Sequence, residues 1–357
     1  MHESQLIDEA ATATESPSLA TWRGPLFLVG MFRSGTSLLY ALLNQHPDIA
    51  LMFEAEFFRI TPLFWRPRGS RNWMSKCDFW NQVFQRHALD PDRISFDSDD
   101  LRSNVREVYQ EYARQKGALI WGDKSPNYHD YLNHLAGDFP EAKFVIIWRD
   151  PLAICRSIAR AAAESHWFDR IGTTHRTLLG YRRMKAECDE LVRKGISVHQ
   201  VQYEDLVRDP VQTMKGICTF LGVTFVPAMA SLKGADRSAI YDNGLHSQVR
   251  GERVVARAER PEVLSQRAKS KIQRYVSLWR QESGGTWPVS EVSREGECGE
   301  PSIAERTVDR IWYSWLGAFD SLVTSIYFFA PRPPLKLWRK FRHRHPSAGH
   351  QDSRLSG

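Results

Sequence analysis

The stretch Phe27-Leu28-Val29-Gly30-Met31-Phe32-Arg33-Ser34-Gly35-Thr36-Ser37-Leu38-Leu39 decides the fold. Leu26 to Val29 is a short apolar run closed by Gly30, which reads as a buried strand. From Thr36 onward the period changes. Leu38, Leu39, Leu42 and Leu43 recur at i, i+1, i+4 and i+5, one apolar face of a helix. Strand, glycine-bounded loop and helix N-terminus, in that order, converge successive backbone N–H groups on one point and add the positive end of the helix dipole there. The expected ligand is a phosphate.

Gly30, Gly35, Thr36 and Ser37 follow the spacing of the P-loop pattern G-x-x-x-x-G-K-[ST], with Thr36 standing where lysine belongs. That lysine reaches the β- and γ-phosphates of a nucleoside triphosphate. Without it the loop should prefer a nucleotide with a shorter anionic chain, and the cation is supplied earlier, by Arg33. A degenerate nucleoside triphosphatase loop and a glycine turn with no ligand are the alternatives.

Working outward, Lys143 to Trp148 is the clearest buried strand, and it runs into Arg149-Asp150-Pro151, with Pro151 suited to a first helical turn. Ala118 to Trp121 is a short apolar run leading into Gly122-Asp123-Lys124-Ser125-Pro126. Ile196 to Tyr203 alternates like a further strand, and helices are expected over 174–194 and from Pro210 to Leu221. The first helix should stop at His46-Pro47-Asp48. Strands alternating with helices imply an α/β fold: a P-loop-like parallel β-sheet flanked by helices. Ligands of such sheets bind at the carboxyl ends of the strands, which puts the loops after Val29, Trp121, Trp148 and Val201 along one edge. Residues 57–116 are rich in aromatics, Phe58, Trp65, Trp80 and Phe84 among them, and read either as an acceptor pocket or as core packing.

With 357 residues and 42% hydrophobic content the chain can bury a large core. A net charge of +6 suits anionic ligands or a membrane surface and gives no case for nucleic acid. Five scattered cysteines, with no C-x-x-C pair, argue against a metal site or a disulfide framework and for a reducing compartment. The expected layout is a disordered tail over 1–22, an α/β domain over 23–283, a linker over 284–302, an amphipathic helix with a basic tail over 303–345, and a second tail over 346–357. Met1 to Ala20 is acidic and polar and does not read as a secretory signal. In Ile311 to Ala330 a polar stripe of Ser314, Gly317, Ser321 and Thr324 runs along an otherwise apolar helix. Docking on the core or a partner, lying on an anionic membrane, and spanning one are its three readings. The expected location is cytoplasmic, peripheral at the inner face of a membrane.

The loops on the shared edge carry Arg33, Ser34, Gly35, Thr36 and Ser37; Asp123, Lys124 and Ser125; Arg149 with Ser157 eight residues on; and Tyr203. A phosphate cradle plus a separate Arg/Ser pair suggests a ligand with two separated anionic groups. At this point the chain resembles the sulfotransferases that use 3′-phosphoadenosine 5′-phosphosulfate. Phe32-Arg33-Ser34-Gly35-Thr36-Ser37-Leu38-Leu39 is similar to that family's 5′-phosphosulfate loop, and Trp148-Arg149-Asp150-Pro151 through Ser157 to its 3′-phosphate motif. The arginine form of the first motif is nearer the bacterial and tyrosylprotein branches. Gly122-Asp123-Lys124-Ser125-Pro126 resembles their lysine loop, and Tyr203 a cofactor-contacting tyrosine there.

The resemblance implies metal-free, in-line transfer of a sulfuryl group to a hydroxyl or amine, with 3′-phosphoadenosine 5′-phosphosulfate as the donor. It implies that residues 34–37 hold the 5′-phosphate through backbone N–H groups and the hydroxyls of Thr36 and Ser37. Arg33 and Lys124 would stabilise developing charge, and Glu54 would act as general base. Glu54 lies one residue further from His46-Pro47 than in the family, so Glu56 is the alternative base, with His129 a third candidate. The family's late 3′-phosphate loop is represented only by Ser247 and Arg250 in His246-Ser247-Gln248-Val249-Arg250-Gly251. A carbohydrate, lipid or other small acceptor is expected, with a phenol or peptide tyrosine open. A P-loop-type kinase and a non-catalytic membrane-associated adaptor are the rival functions.

Overall fold

A computed structural model describes residues 22–57, 78–95, 101–164, 173–241, 246–255, 262–282 and 301–308, together with 311, 314, 315 and 318. The strands are β1 (Leu26–Gly30), β2 (Ile49–Phe53), β3 (Ile120–Lys124), β4 (Lys143–Trp148) and β5 (Ser197–Gln202). They form one wholly parallel sheet in the order β2-β3-β1-β4-β5. In chain order the helices are α1 (Thr36–Leu43), α2 (Asp78–Arg86), α3 (Leu101–Lys116), α4 (Leu132–Asp138), α5 (Pro151–Glu164), α6 (Thr173–Arg193), α7 (Tyr203–Arg208), α8 (Pro210–Leu221) and α9 (Gln266–Glu282).

Alternation along the strands sorts the core into two layers. Leu26, Leu28, Val145, Ile147 and Val201 face α1, α7 and α8. Phe27, Val29, Phe144, Ile146 and Trp148 face α3, α4, α5, α6 and α9. Strands of a parallel sheet buried on both faces read as near-continuous apolar runs; β1 and β2 fit this and are buried throughout, and β3 is equally buried although it ends in Asp123 and Lys124. Full burial of a side chain such as Phe27 is worth about 2–3 kcal/mol.

The α/β reading therefore holds, with three local corrections. β2 is a strand that the sequence does not announce: Ile-Ala-Leu-Met-Phe is too short to declare a period, and it follows a proline turn. β3 starts at Ile120 rather than Ala118 and runs through Lys124, so Asp123 and Lys124 belong to the strand and not to a loop. Tyr203 does not close β5 but opens α7. The expected Pro210–Leu221 helix is reproduced: Asp209 accepts from Gln212 N at 2.9 Å, and Gly222 (φ 80) closes the helix.

β2 lies at one end of the described sheet, and side chains satisfy its outer edge at Phe53. The Phe53 N–H donates to His87 Nε2 at 3.1 Å, and Arg86 Nη1 donates to the Phe53 carbonyl at 3.0 Å. Burial lowers the His87 pKa to about 3, which keeps the ring neutral and able to accept.

Of the carboxyl-terminal extension, residues 303–308 are helical, with 311, 314, 315 and 318 in the same state. Ser302 and Glu305 form a reciprocal capping box, and Arg274 of α9 reaches Glu305 at 3.3 Å. The basic tail, nearly all of the linker and residues 58–77 of the aromatic segment lie outside the described residues. Phe84 from that segment is a core side chain.

Candidate functional site

The carboxyl ends of β1, β2, β3, β4 and β5 meet at one edge, and each delivers a candidate residue there. After β1 the chain turns tightly: Ser34 N donates to the Met31 carbonyl at 3.0 Å, and Arg33 (φ 68) and Gly35 (φ 102) are left-handed. Left-handed residues inside such a turn bring successive N–H groups to a concave face. The two glycines are fixed by packing. A Cβ on Gly30 would lie 2.6 Å from both Ile147 Cγ2 and Ser34 Oγ, and one on Gly35 would lie 2.5 Å from the Tyr203 ring. Ser34 and Thr36 are buried, and Ser37 is half-buried on the first turn of α1.

Arg149 leaves the end of β4 and crosses back to the loop, its Nη1 donating to the Arg33 carbonyl at 2.8 Å. Its guanidinium sits 4.1 Å from the centroid of the Tyr203 ring. Asp150, beside it, accepts from Ala153 N at 3.0 Å and so caps α5. Ser157, buried on α5, accepts from Arg33 Nε at 3.1 Å. Arg33, Arg149, Ser157 and Tyr203, which sequence places on three separate segments, thus form one chain of contacts. Gln248 extends it by donating to the Tyr203 hydroxyl. That residue was not anticipated, although it sits between Ser247 and Arg250, both exposed at the turn Ser247–Val249.

The third group stands on β2 and β3. Lys124, fully buried, donates from Nζ to Glu54 Oε1 at 2.7 Å, and Nζ lies 3.8 Å from the Phe53 ring centroid. Burial lowers the Lys124 pKa, and the Glu54 carboxylate opposes that shift. Glu54 (φ 51) and Glu56 (φ 52) are both left-handed, a conformation that costs non-glycine residues about 1–3 kcal/mol and collects at functional sites. Their side chains diverge. Glu56 is 8% exposed and accepts from Ser125 Oγ at 2.8 Å and from Asn127 Nδ2. His129 stands elsewhere, with Nδ1 bonded to the Pro126 carbonyl at 2.9 Å and its ring edge against Phe32.

Asp123 received no role from the sequence, yet it is fully buried and engaged by four donors: Ala55 N, Glu56 N, Tyr109 Oη and Tyr128 Oη, at 3.2, 3.0, 3.2 and 2.9 Å. Burial pushes its pKa up to about 6, against the opposing pull of those hydrogen bonds.

Two buried polar atoms in this wall, Ser34 Oγ and Arg149 Nε, have no hydrogen-bond partner. Buried donors of this kind fit an anionic ligand with oxygens at two places, one over the loop and one beside Arg149. The glycine cradle at Gly30 and Gly35 fits the same ligand, because backbone must approach it closely.

Residues 25–227, more than half of the 357, match the model of the sulfotransferase family. Over 138 residues the chain is 33% identical to nodulation protein NoeE of Sinorhizobium fredii, an overlap covering 37% of this chain and 30% of that protein. Over 210 residues it is 27% identical to protein-tyrosine sulfotransferase 1 of Danio rerio, covering 57% of this chain and 54% of the relative. The match thus spans about half, or less, of the length of these curated relatives. Among solved structures, the sulfotransferase domain from the Synechococcus PCC 7002 olefin synthase aligns with a TM-score of 0.44 at 21% identity, over 71% of this chain and 94% of that one. A mouse sulfotransferase complexed with PAP aligns with a TM-score of 0.40 at 13% identity, over 76% and 87% of the two chains. The chain belongs to the sulfotransferase family.

Proposed function

We propose that the chain is a sulfotransferase that takes 3′-phosphoadenosine 5′-phosphosulfate as donor and carries the sulfuryl group to a hydroxyl of a carbohydrate, lipid or other small acceptor. The observation that carries this reading is the pair of anion-binding places tied together by Arg149, each with a buried donor lacking a protein partner. When bound, the donor supplies the sulfuryl group, whose bond to the acceptor oxygen forms in line as the bond to the bridging oxygen breaks. Backbone N–H groups of residues 34–37, with Thr36 and Ser37, hold the 5′-phosphate end. Arg149, Ser157 and Tyr203 hold the 3′-phosphate end, with Ser247 and Arg250 at its rim. Arg33 and Lys124 place positive charge where the leaving group develops negative charge.

Glu54 is assigned the acceptor proton. It reaches the shared edge with Oε1 held by Lys124, whereas Glu56 is drawn into Ser125 and Asn127 and His129 points to Pro126. That geometry favours Glu54 over both alternatives.

The test is calorimetric titration of the purified chain with 3′-phosphoadenosine 5′-phosphate and, separately, ATP–Mg²⁺, each repeated with Arg149→Ala. Charge-assisted hydrogen bonds of about 1.5–3 kcal/mol predict a roughly 10- to 100-fold loss of bisphosphate affinity in the variant. Tight ATP with no response to the bisphosphate would overturn the reading in favour of a kinase.

A peripheral membrane contact on the cytoplasmic face belongs to the same proposal. Val308, Ile311 and Trp315 are exposed and recur three and four residues apart, one helical stripe, and residues 331–345 carry six Lys/Arg and no acid. No helix among the described residues is long and apolar enough to cross a membrane. Binding to phosphatidylserine vesicles should disappear on deletion of residues 303–357, and unchanged binding would refute this part.

A further inference from the structure

The loop carrying Glu54 is held in an uncommon backbone shape, and the group holding it is not one of the residues assigned to donor or acceptor. β2 pairs with β3 so that Met52 lies opposite Asp123 and Phe53 opposite Lys124, and Glu54 N still donates to the Lys124 carbonyl at 2.8 Å. The ladder then breaks. Glu54 and Glu56 flip to left-handed φ, and the N–H groups of Ala55 and Glu56 turn inward together onto the two oxygens of Asp123. Successive N–H groups beside left-handed residues form a concavity that binds an anion. Here the anion is a side chain of the neighbouring strand.

We infer that Asp123 is a positioning residue for sulfuryl transfer: its carboxylate seats in the backbone nest of residues 54–56 and thereby keeps Glu54 against Lys124. This rests on the sulfotransferase reading for its kinetic consequence only; the clamp itself does not.

Three further observations support it. Two tyrosines from separate elements, Tyr109 on α3 and Tyr128 on the turn Pro126–Asp130, spend their buried hydroxyls on the same oxygen that Glu56 N uses, fixing the carboxylate in place. Tyr109 stacks on Trp121 of β3 and lies edge-to-face with Phe57, the residue after the loop, so the anchor is itself wedged between that strand and the loop's end. Finally, Asp123 neighbours Lys124 on β3, so one strand end presents the cation to Glu54 and the anion to the backbone that carries Glu54. Both carboxylates then depend on a single registration of β2 against β3.

Asp123→Asn tests this with nearly unchanged volume. An amide presents one oxygen and one N–H₂, so whichever way it is turned, either Ala55 N or Glu56 N faces a donor. Hydrogen–deuterium exchange at those two amides should quicken by about 10-fold or more, since each loses a buried charged acceptor. The kinetic arm follows sulfuryl exchange between p-nitrophenyl sulfate and 3′-phosphoadenosine 5′-phosphate. In the variant kcat should fall roughly 10- to 100-fold, as for a small misplacement of a reacting group, while KM for the nucleotide stays within about 2-fold. Tyr128→Phe keeps the carboxylate and should give a smaller change of the same pattern, which keeps the test open if Asp123→Asn does not fold. Unchanged exchange at Ala55 and Glu56, or fast exchange with kcat preserved, would overturn the inference. If the parent binds no 3′-phosphoadenosine 5′-phosphate while the amides respond as stated, the clamp stands and the functional reading falls instead.

Discussion

Replacing Glu54 by methionine removes the anion from Lys124 while keeping side-chain volume. Lys124 then keeps the Phe53 ring face at 3.8 Å and burial on every side. Breaking one partner of a buried ion pair costs about 3–5 kcal/mol, and linkage sets a ceiling on that figure. The fold never loses more than it takes to discharge the lysine, about 1.4 kcal/mol for each pH unit below its ordinary value. With that value at 10.5, the ceiling is about 5 kcal/mol at pH 7 and about 1.4 kcal/mol at pH 9.5. The sign follows from proton counts. The unfolded chain holds a proton on Lys124 that the folded variant releases, so stability of Glu54→Met rises with pH. Urea denaturation of parent and variant between pH 7 and 9.5 should show the deficit shrinking by about 2 kcal/mol or more. The double variant Glu54→Met/Lys124→Met should lose the pH dependence. A deficit that is constant across this range would refute the argument that Lys124 is a buried charge held by Glu54.

Gly35→Ala combines a left-handed φ of 102° with a Cβ 2.5 Å from the Tyr203 ring. Backbone strain and overpacking together predict about 2–5 kcal/mol of destabilisation by urea titration, and a Tyr203 displaced from Arg149 should weaken bisphosphate binding as well; a change below about 0.5 kcal/mol would count against the packing account. Asp123 gives the opposite pH slope to Lys124. Its folded pKa of about 6 lies above the ordinary 3.8, so its contribution to stability is complete below pH 3.8 and lost as pH rises through 6. That loss is about 3 kcal/mol. Asp123→Asn should flatten the parent's stability slope between pH 4 and 6, and an unaltered slope would show that another group titrates there.

Much of the molecule is legible where local rules and tertiary demands agree. β1, the glycine loop and α1 declare themselves by a change of period, β4 by its unbroken apolar run, and α8 by Asp209, Pro210 and Gly222. Misreadings fall where function bends those rules. β3 ends in Asp123 and Lys124, two charges that read as loop because a fully buried strand seldom holds them. β2 was hidden because five apolar residues carry no periodic signature, and its outer edge is satisfied by side chains from Arg86 and His87 instead of a strand. Candidate site residues could be named from motifs, but their partners could not. Glu54 with Lys124 and Tyr203 with Gln248 are 70 and 45 positions apart; the β2–β3 register brings the first pair together, and packing of the turn Ser247–Val249 against α7 the second.

The position of β1 in the middle of the sheet has a consequence for biosynthesis. Its two neighbours are β3 and β4, so this apolar strand cannot be zipped on both sides until residue 148 has been made. At a ribosomal rate of about 5–20 residues per second, that leaves β1 and the glycine loop after it waiting on the order of 10 s. Over that interval Leu26–Val29 keeps at least one open edge, a template for any other exposed strand, and pairings of such long sequence separation form slowly. The nascent chain is therefore expected to lean on chaperones until β4 emerges, and production of the protein should respond to synthesis speed between codons 30 and 148 more than to changes of the finished fold's stability.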